Sequence, residues 1–200
     1  MEEEFKFISD RFEIEALFEK NDATQGLVVT HPHPLYGGDM YNPVVEAVIN
    51  VCRRKGYTTL RFNFRGVGAS QGYYDNGEGE REDVRAACSC LSDMGIQKIL
   101  LAGYSFGAWV NAHVSPDRAP YDQMIMVSPP VAFVDFSAVK TIPSLKLVTS
   151  GSRDDIAPPA LIQQALAGWC KTARHEIING ANHFYTATLS SLEAVLQAAV

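Results

Sequence analysis

The sequence predicts an α/β fold built on a mostly parallel sheet, and three observations carry that prediction. Short apolar runs of strand length alternate along the chain with longer segments of helical periodicity, the pattern of successive βα units. His31, Arg65, Ser105, Asp154 and His183 each fall just past the carboxyl end of one of those runs, the edge where open parallel sheets place their ligands. The stretch 98–114, KILLAGYSFGAWVNAHV, reads as strand, glycine-flanked turn and helix.

Taken in order, residues 5–9 and 12–18 alternate apolar and polar side chains about Asp10-Arg11, and read as an antiparallel hairpin at one edge of the sheet. Residues 26–30 (GLVVT) read as a buried strand. HPHPLYGG (31–38) ends it, because its prolines exclude both helix and central strand. Residues 44–54 have helical periodicity, and Gly56 stops them. Residues 57–62 form the next strand and run into the loop NFRGVG (63–68). A helix over 80–94 has an acidic first turn, which suits its dipole, and Gly95 behind it. After the strand at 99–102 and its helix come strands at 123–127, 145–149 and 174–178. Helices over 159–170 and 186–199 complete the pattern. No repeat or linker interrupts it, so residues 1–200 read as a single domain. Only residues 128–144 separate the sixth strand from the seventh, too few for a helical lid, and the site should be open and shallow.

The turn at Gly103-Tyr104-Ser105-Phe106-Gly107 is where chemistry is expected. A serine on a sharp strand-to-helix turn has its hydroxyl exposed at the sheet edge, beside the free N–H groups of a helix N-terminus. Side chains two residues before and two after it would collide, which explains Gly103 and Gly107. The same five-residue pattern recurs at 68–72, but no helix starts there, and Ser70 reads as a loop residue.

A nucleophilic serine needs a base, and the base needs an orienting carboxylate. Three histidines follow Ser105. His113 lies inside the helix that Ser105 begins and His175 within the last strand; only His183 sits in a loop at the correct edge. Asp154, Asp155 and Asp135 all follow strand ends that could reach it. An extended loop anchored inward by Ile156 would put Asp154 on the same side, which favours Asp154. An acyl-transfer site also needs two backbone donors for the oxyanion. Phe106, directly after the serine, supplies one. In the 31–38 loop Pro32 and Pro34 have no N–H, leaving Leu35 or His33 for the second, with Leu35 favoured. His33, Tyr36, Arg65 and Tyr104 are candidates to line the pocket, although a loop arginine more often ties neighbouring loops together. His31 and His33, with only Asp39 near them, make a poor metal pair. Neither metal nor cofactor is expected.

The bulk composition narrows the remaining classes. A net charge of −6 without any basic cluster argues against nucleic acid and against an anionic membrane surface. Cys52, Cys88, Cys90 and Cys170 show no metal-ligand spacing, and Met1-Glu2-Glu3-Glu4 has no apolar run behind it. The expectation is a cytoplasmic protein with reduced thiols and no secretion signal.

HPHPLYGG (31–38), FNFRGVGASQG (62–72), GYSFGA (103–108), GSRDDIAPP (151–159) and GANHFY (180–185) occur in order over nearly the whole chain. Together they resemble the small lidless bacterial α/β-hydrolases related to dienelactone hydrolases. The resemblance implies an α/β-hydrolase fold, with an eight-stranded sheet whose second strand is antiparallel, and a triad of Ser105, Asp154 and His183. Its pattern Gly-x-x-Asp-x-Ile-x-Pro again points to Asp154. Dienelactone hydrolases themselves use cysteine as nucleophile, so Ser105 favours ordinary esters. The expected function is cleavage of a carboxylic ester or thioester through an acyl-enzyme. Acyl transfer, peptide cleavage and ligand binding without catalysis are the alternatives on the same fold. The expected partner is a small-molecule substrate, with a homodimer left open.

Overall fold

The computed structural model describes residues 1–21 and 24–200. Eight strands form one sheet: β1 (Glu3–Ser9), β2 (Phe12–Glu19), β3 (Gln25–Thr30), β4 (Thr58–Phe62), β5 (Lys98–Tyr104), β6 (Gln123–Val127), β7 (Leu145–Gly151) and β8 (Arg174–Ile178). Their spatial order is β1-β2-β4-β3-β5-β6-β7-β8. β2 runs antiparallel to both of its neighbours, and every other pairing is parallel. Among the described residues four α-helices lie between strands, α1 (Pro43–Arg54), α2 (Glu78–Asp93), α3 (Phe106–Ala112) and α4 (Pro159–Trp169), and α5 (Leu189–Ala199) follows β8.

The two-residue period of the strands sorts the core into two layers. Along β5, Ile99 and Leu101 face one layer, while Leu100, Ala102 and Tyr104 face the other. The first layer is filled by Val84, Ala87 and Leu91 of α2, Phe106, Ala108 and Val110 of α3, and Ile162, Leu166 and Trp169 of α4. The second takes the apolar faces of α1 (Val44, Val45, Val48, Ile49) and α5 (Leu192, Leu196). β5 is covered on both faces and flanked on both edges, so the turn at its carboxyl end rests on the most constrained part of the molecule.

Helix boundaries follow local chemistry. Pro43 opens α1, where its missing N–H is no loss, and the Asn42 side chain accepts from the Val44 amide at 2.9 Å. α2 begins two residues before the sequence-based expectation. Gly77 enters it at φ 91°, and the Glu80 carboxylate reaches back to the amides of Gly77 (2.8 Å) and Asp75 (2.9 Å). α5 begins three residues later than expected because Tyr185 and Ala187 have left-handed backbones, φ 54° and 59°, which no helix accepts. Residues 128–144 hold no helix, so the sheet edge carrying Ser105 has no lid.

Candidate active site

Ser105 sits between β5 and α3 with φ 53° and ψ −118°, a conformation that L-residues avoid. Surrounding contacts hold it there. Its amide donates to the Val127 carbonyl of β6 at 2.9 Å, and its carbonyl accepts from the Trp109 amide of α3 at 3.1 Å. The flanking glycines are required by close approach. A Cβ on Gly103 would lie 2.7 Å from the Ala108 nitrogen, and one on Gly107 would lie 2.7 Å from the His31 carbonyl oxygen. The serine hydroxyl therefore projects from a fixed platform, beside the α3 amides that have no acceptor within the helix.

The Ser105 hydroxyl oxygen lies 2.9 Å from His183 Nε2. His183 follows β8 in a loop whose position is fixed partly by Tyr104, which donates its phenol proton to the His183 carbonyl at 2.9 Å. On the far side of the ring, Nδ1 lies 3.0 Å from both carboxylate oxygens of Asp154. Asp154, beyond the end of β7, is 2% exposed, whereas Asp155 faces solvent. The carboxylate is heavily coordinated. Oδ1 accepts from the amides of Ile156 (3.0 Å) and Ala157 (2.7 Å), and Oδ2 accepts from the Ser128 hydroxyl (2.7 Å). Burial works to raise its pKa, but the bonds from His183, Ala157 and Ser128 outweigh burial and leave the pKa below the usual carboxylate value. An ionised Asp154 accepts from Nδ1–H, which leaves the Nε2 lone pair facing the serine hydroxyl.

The loop after β3 closes the other side. The three-residue 3₁₀ turn Pro34–Tyr36 begins at His33, whose ring Nδ1 accepts from the Leu35 amide at 3.2 Å. This corrects the expectation for Leu35. Its N–H is already engaged, its side chain is 67% exposed, and it does not reach the cavity above Ser105. His33 does line that cavity, and its own amide has no acceptor among the described residues. The His33 ring packs on Phe106 at 4.6 Å between centroids, and burial lowers its pKa. His31 is fully buried. Its Nδ1 donates to the Pro32 carbonyl (2.7 Å) and its Nε2 accepts from the Phe64 amide (3.0 Å), so both ring nitrogens are engaged by backbone.

The cavity has a volume of about 500 Å³. Tyr36 and Tyr104 line it. Arg65 does not. Asp83 of α2 takes its guanidinium at 2.8 Å, and Asp10 of the hairpin adds a contact at 3.1 Å, so it ties three chain segments together below the surface. Asp135 accepts from the amide and hydroxyl of Ser137 and makes no hydrogen bond to His183. His113 bonds the Trp109 carbonyl, His175 bonds Ser150, and the Ser70 hydroxyl donates to the Asn63 carbonyl. Sequence reasoning overlooked Ser128 and Tyr185. The Tyr185 hydroxyl lies 2.9 Å from Ser128 Oγ, extending the chain of bonds behind Asp154. The one available signal was Ser128 itself, a polar residue at the same carboxyl edge, directly after β6.

A lidless, mostly parallel eight-stranded sheet, with a strained serine after its central strand and an imidazole at hydrogen-bond distance, defines the class as the α/β serine hydrolases. The chain belongs to that family. It is 33% identical to an α/β serine hydrolase homologue from Coxiella burnetii, with 98% of this chain and 96% of that one covered, at a TM-score of 0.89. XC6422 from Xanthomonas campestris, an α/β serine hydrolase without a lid, is 28% identical, with 100% and 93% covered, at a TM-score of 0.90. In sequence, the chain is 38% identical over 168 residues to the uncharacterized protein RP471 of Rickettsia prowazekii, covering 79% of this chain and 71% of that protein. No family model matches it. Among the described residues, no helix is long and apolar enough to cross a membrane.

Proposed function

We propose that the protein hydrolyses a carboxylic ester or thioester through an acyl-enzyme on Ser105. The observation that carries this reading is the continuous chain from Ser105 Oγ to His183 Nε2 (2.9 Å), and from His183 Nδ1 to Asp154 (3.0 Å). Ser105 Oγ attacks the substrate carbonyl carbon while His183 Nε2 takes its proton. The tetrahedral oxyanion is held by the amides of Phe106 and His33. Collapse breaks the bond to the alkoxide or thiolate, which leaves with the proton from His183. Water then adds to the acyl carbon with His183 again as base, and release of the acid restores the hydroxyl. Asp154 holds the imidazole in the productive tautomer and stabilises the imidazolium. Two backbone donors at the oxyanion are each worth on the order of 10²–10³ in rate.

Within the family, the reading places this chain beside the dienelactone hydrolases, with serine where those enzymes use cysteine. The proposed setting is cytoplasmic, in keeping with four cysteines that all carry free thiols. The test is a fluorophosphonate, which should phosphonylate Ser105 and fail to label Ser105→Ala. An adduct mapped to Ser70, or no adduct on the folded protein, would overturn the assignment.

A further inference from the structure

The cavity above Ser105 is chemically one-sided. Its walls include Pro32, Tyr36, Pro130, Phe133, Ile156 and Phe184, and among the described residues no Lys, Arg, Asp or Glu lines it. Arg65, the cation of the loop after β4, is turned away into Asp83 and Asp10. A carboxylate or ammonium entering this space would lose hydration and find no opposite charge, an unfavourable exchange. The net charge of −6 further disfavours an anionic substrate.

The mouth adds a second, independent constraint. Tyr36, Phe133 and Phe184 line the cavity, yet are 75%, 64% and 68% exposed. Single exposed aromatics are ordinary, but three converging on one opening are not. They come from three different loops, after β3, β6 and β8. Tyr36 and Phe133 meet across the mouth with ring centroids 6.5 Å apart, at an interplanar angle of 72°, the edge-to-face geometry that aromatic rings prefer. Phe184 directly follows His183 and stands edge-on to its ring, 5.6 Å away. The aromatic surface thus begins at the imidazole and continues to the rim. A volume of about 500 Å³ exceeds what an acetyl ester needs and suits a ligand carrying a ring.

We propose that the substrate is an uncharged ester or thioester bearing an apolar group of aromatic size, held by Tyr36, Phe133 and Phe184 while its carbonyl meets Ser105. This assignment rests on the hydrolase reading and deepens it. The rim supplies what a lid supplies elsewhere: apolar surface that covers the group next to the scissile bond and keeps water from it.

The experiment separates the two levels. Hydrolysis of ethyl acetate, ethyl phenylacetate, benzyl acetate, ethyl butyrate and the anion monoethyl succinate is followed by pH-stat, beside fluorophosphonate labelling. The wild type should prefer one of the two aryl esters over ethyl acetate by about tenfold or more in kcat/KM. It should prefer ethyl butyrate over monoethyl succinate by about a hundredfold. In Tyr36→Ala/Phe133→Ala the aryl preference should fall to within about threefold of unity. Both side chains are exposed, and an unchanged melting temperature will show the fold intact. If Ser105 labels and the esters turn over, but neither aryl ester is preferred, or the preference survives the double substitution, or the anion is cleaved as fast as ethyl butyrate, this inference is overturned and the hydrolase reading stands. If Ser105 neither labels nor cleaves any ester, both fall.

Discussion

Asp154 and Asp155 are adjacent in sequence and opposite in environment, so exchanging each for asparagine should separate catalysis from surface charge. In Asp154→Asn the side chain keeps its size, and one oxygen can still accept from the Ile156 and Ala157 amides. In the native site both carboxylate oxygens lie 3.0 Å from His183 Nδ1. With Oδ1 retained by two amides, the new NH₂ group takes the Oδ2 position, facing both Nδ1 and the Ser128 hydroxyl. An N–H donor there turns Nδ1 into an acceptor and moves the imidazole proton to Nε2. The ring then donates to Ser105 instead of accepting from it, and the base is lost. The analogous change in serine proteases lowers kcat by about 10⁴, equivalent to roughly 5 kcal/mol. The same order is expected here. Asp155→Asn removes a solvated charge and should cost less than about tenfold. The assay is kcat for ester hydrolysis on both variants, with circular dichroism to confirm the fold. Equal losses, or the larger loss at Asp155, would refute the argument.

The remaining expectations concern the loop after β3. His33 has φ −59°, which a proline ring accepts without strain, so His33→Pro removes the proposed oxyanion donor while His33→Ala removes only the ring. The proline variant should be slower than the alanine variant by about 10²-fold or more, chiefly in kcat; equal rates would assign the donor elsewhere. Burial pushes the pKa of His31 down to about 4, despite the bond to the Pro32 carbonyl. The unfolded chain takes up this proton near pH 6.5 and the folded chain only near 4, so stability is full above 6.5 and is lost as pH falls between those values. From pH 7.5 to 5 the stability advantage of wild type over His31→Asn should shrink by about 2 kcal/mol in urea titrations, and a constant difference would contradict the buried neutral imidazole.

The sequence made the sheet, and the edge that carries the polar residues, legible because both rest on patterns the backbone enforces. Alternation and apolar runs define strands, and a serine between two glycines at a strand end has few other conformations open to it. Ser105, His183 and Asp154 could be named together because loops at one edge of a parallel sheet meet in space whatever their separation in the chain. What could not be read depends on side chains folding back on near neighbours or reaching across the fold. Leu35 looked free because its N–H was counted and the His33 ring was not, yet that ring caps the 3₁₀ turn by accepting from it. Arg65 could be read as a tie between loops, but nothing local shows that its partner is Asp83, on the helix that follows, buried with its carboxylate aimed at the guanidinium. Ser128 and Tyr185 carry no pattern at all, since a hydroxyl's role is set only by what it touches.

Three of the six non-glycine residues with positive φ among the described residues lie where the proposed chemistry is. Ser105, Ser128 and Tyr185 have φ of 53°, 45° and 54°, and all three belong to the chain of hydrogen bonds that runs through His183 and Asp154. A non-glycine residue in this region is disfavoured by about 1–2 kcal/mol, and such strain persists where surrounding structure and function hold it. Ser128 makes the trade measurable. Its amide is fixed by the Thr149 carbonyl at 2.8 Å, and its hydroxyl spans Asp154 and Tyr185. Ser128→Gly relieves the backbone and removes that hydroxyl, whose bond to a carboxylate is worth about 1.5–3 kcal/mol. The two effects oppose each other in stability, so the melting temperature should change little. They do not oppose each other in catalysis. Asp154 loses one of its anchors and is held less firmly against His183 Nδ1. The looser carboxylate should lower kcat by about tenfold. Tyr185→Phe, one bond further back, should lower kcat by less. A Ser128→Gly protein that melts far below wild type while its kcat is unchanged would make Ser128 a purely structural residue and break the link drawn here between strain and function.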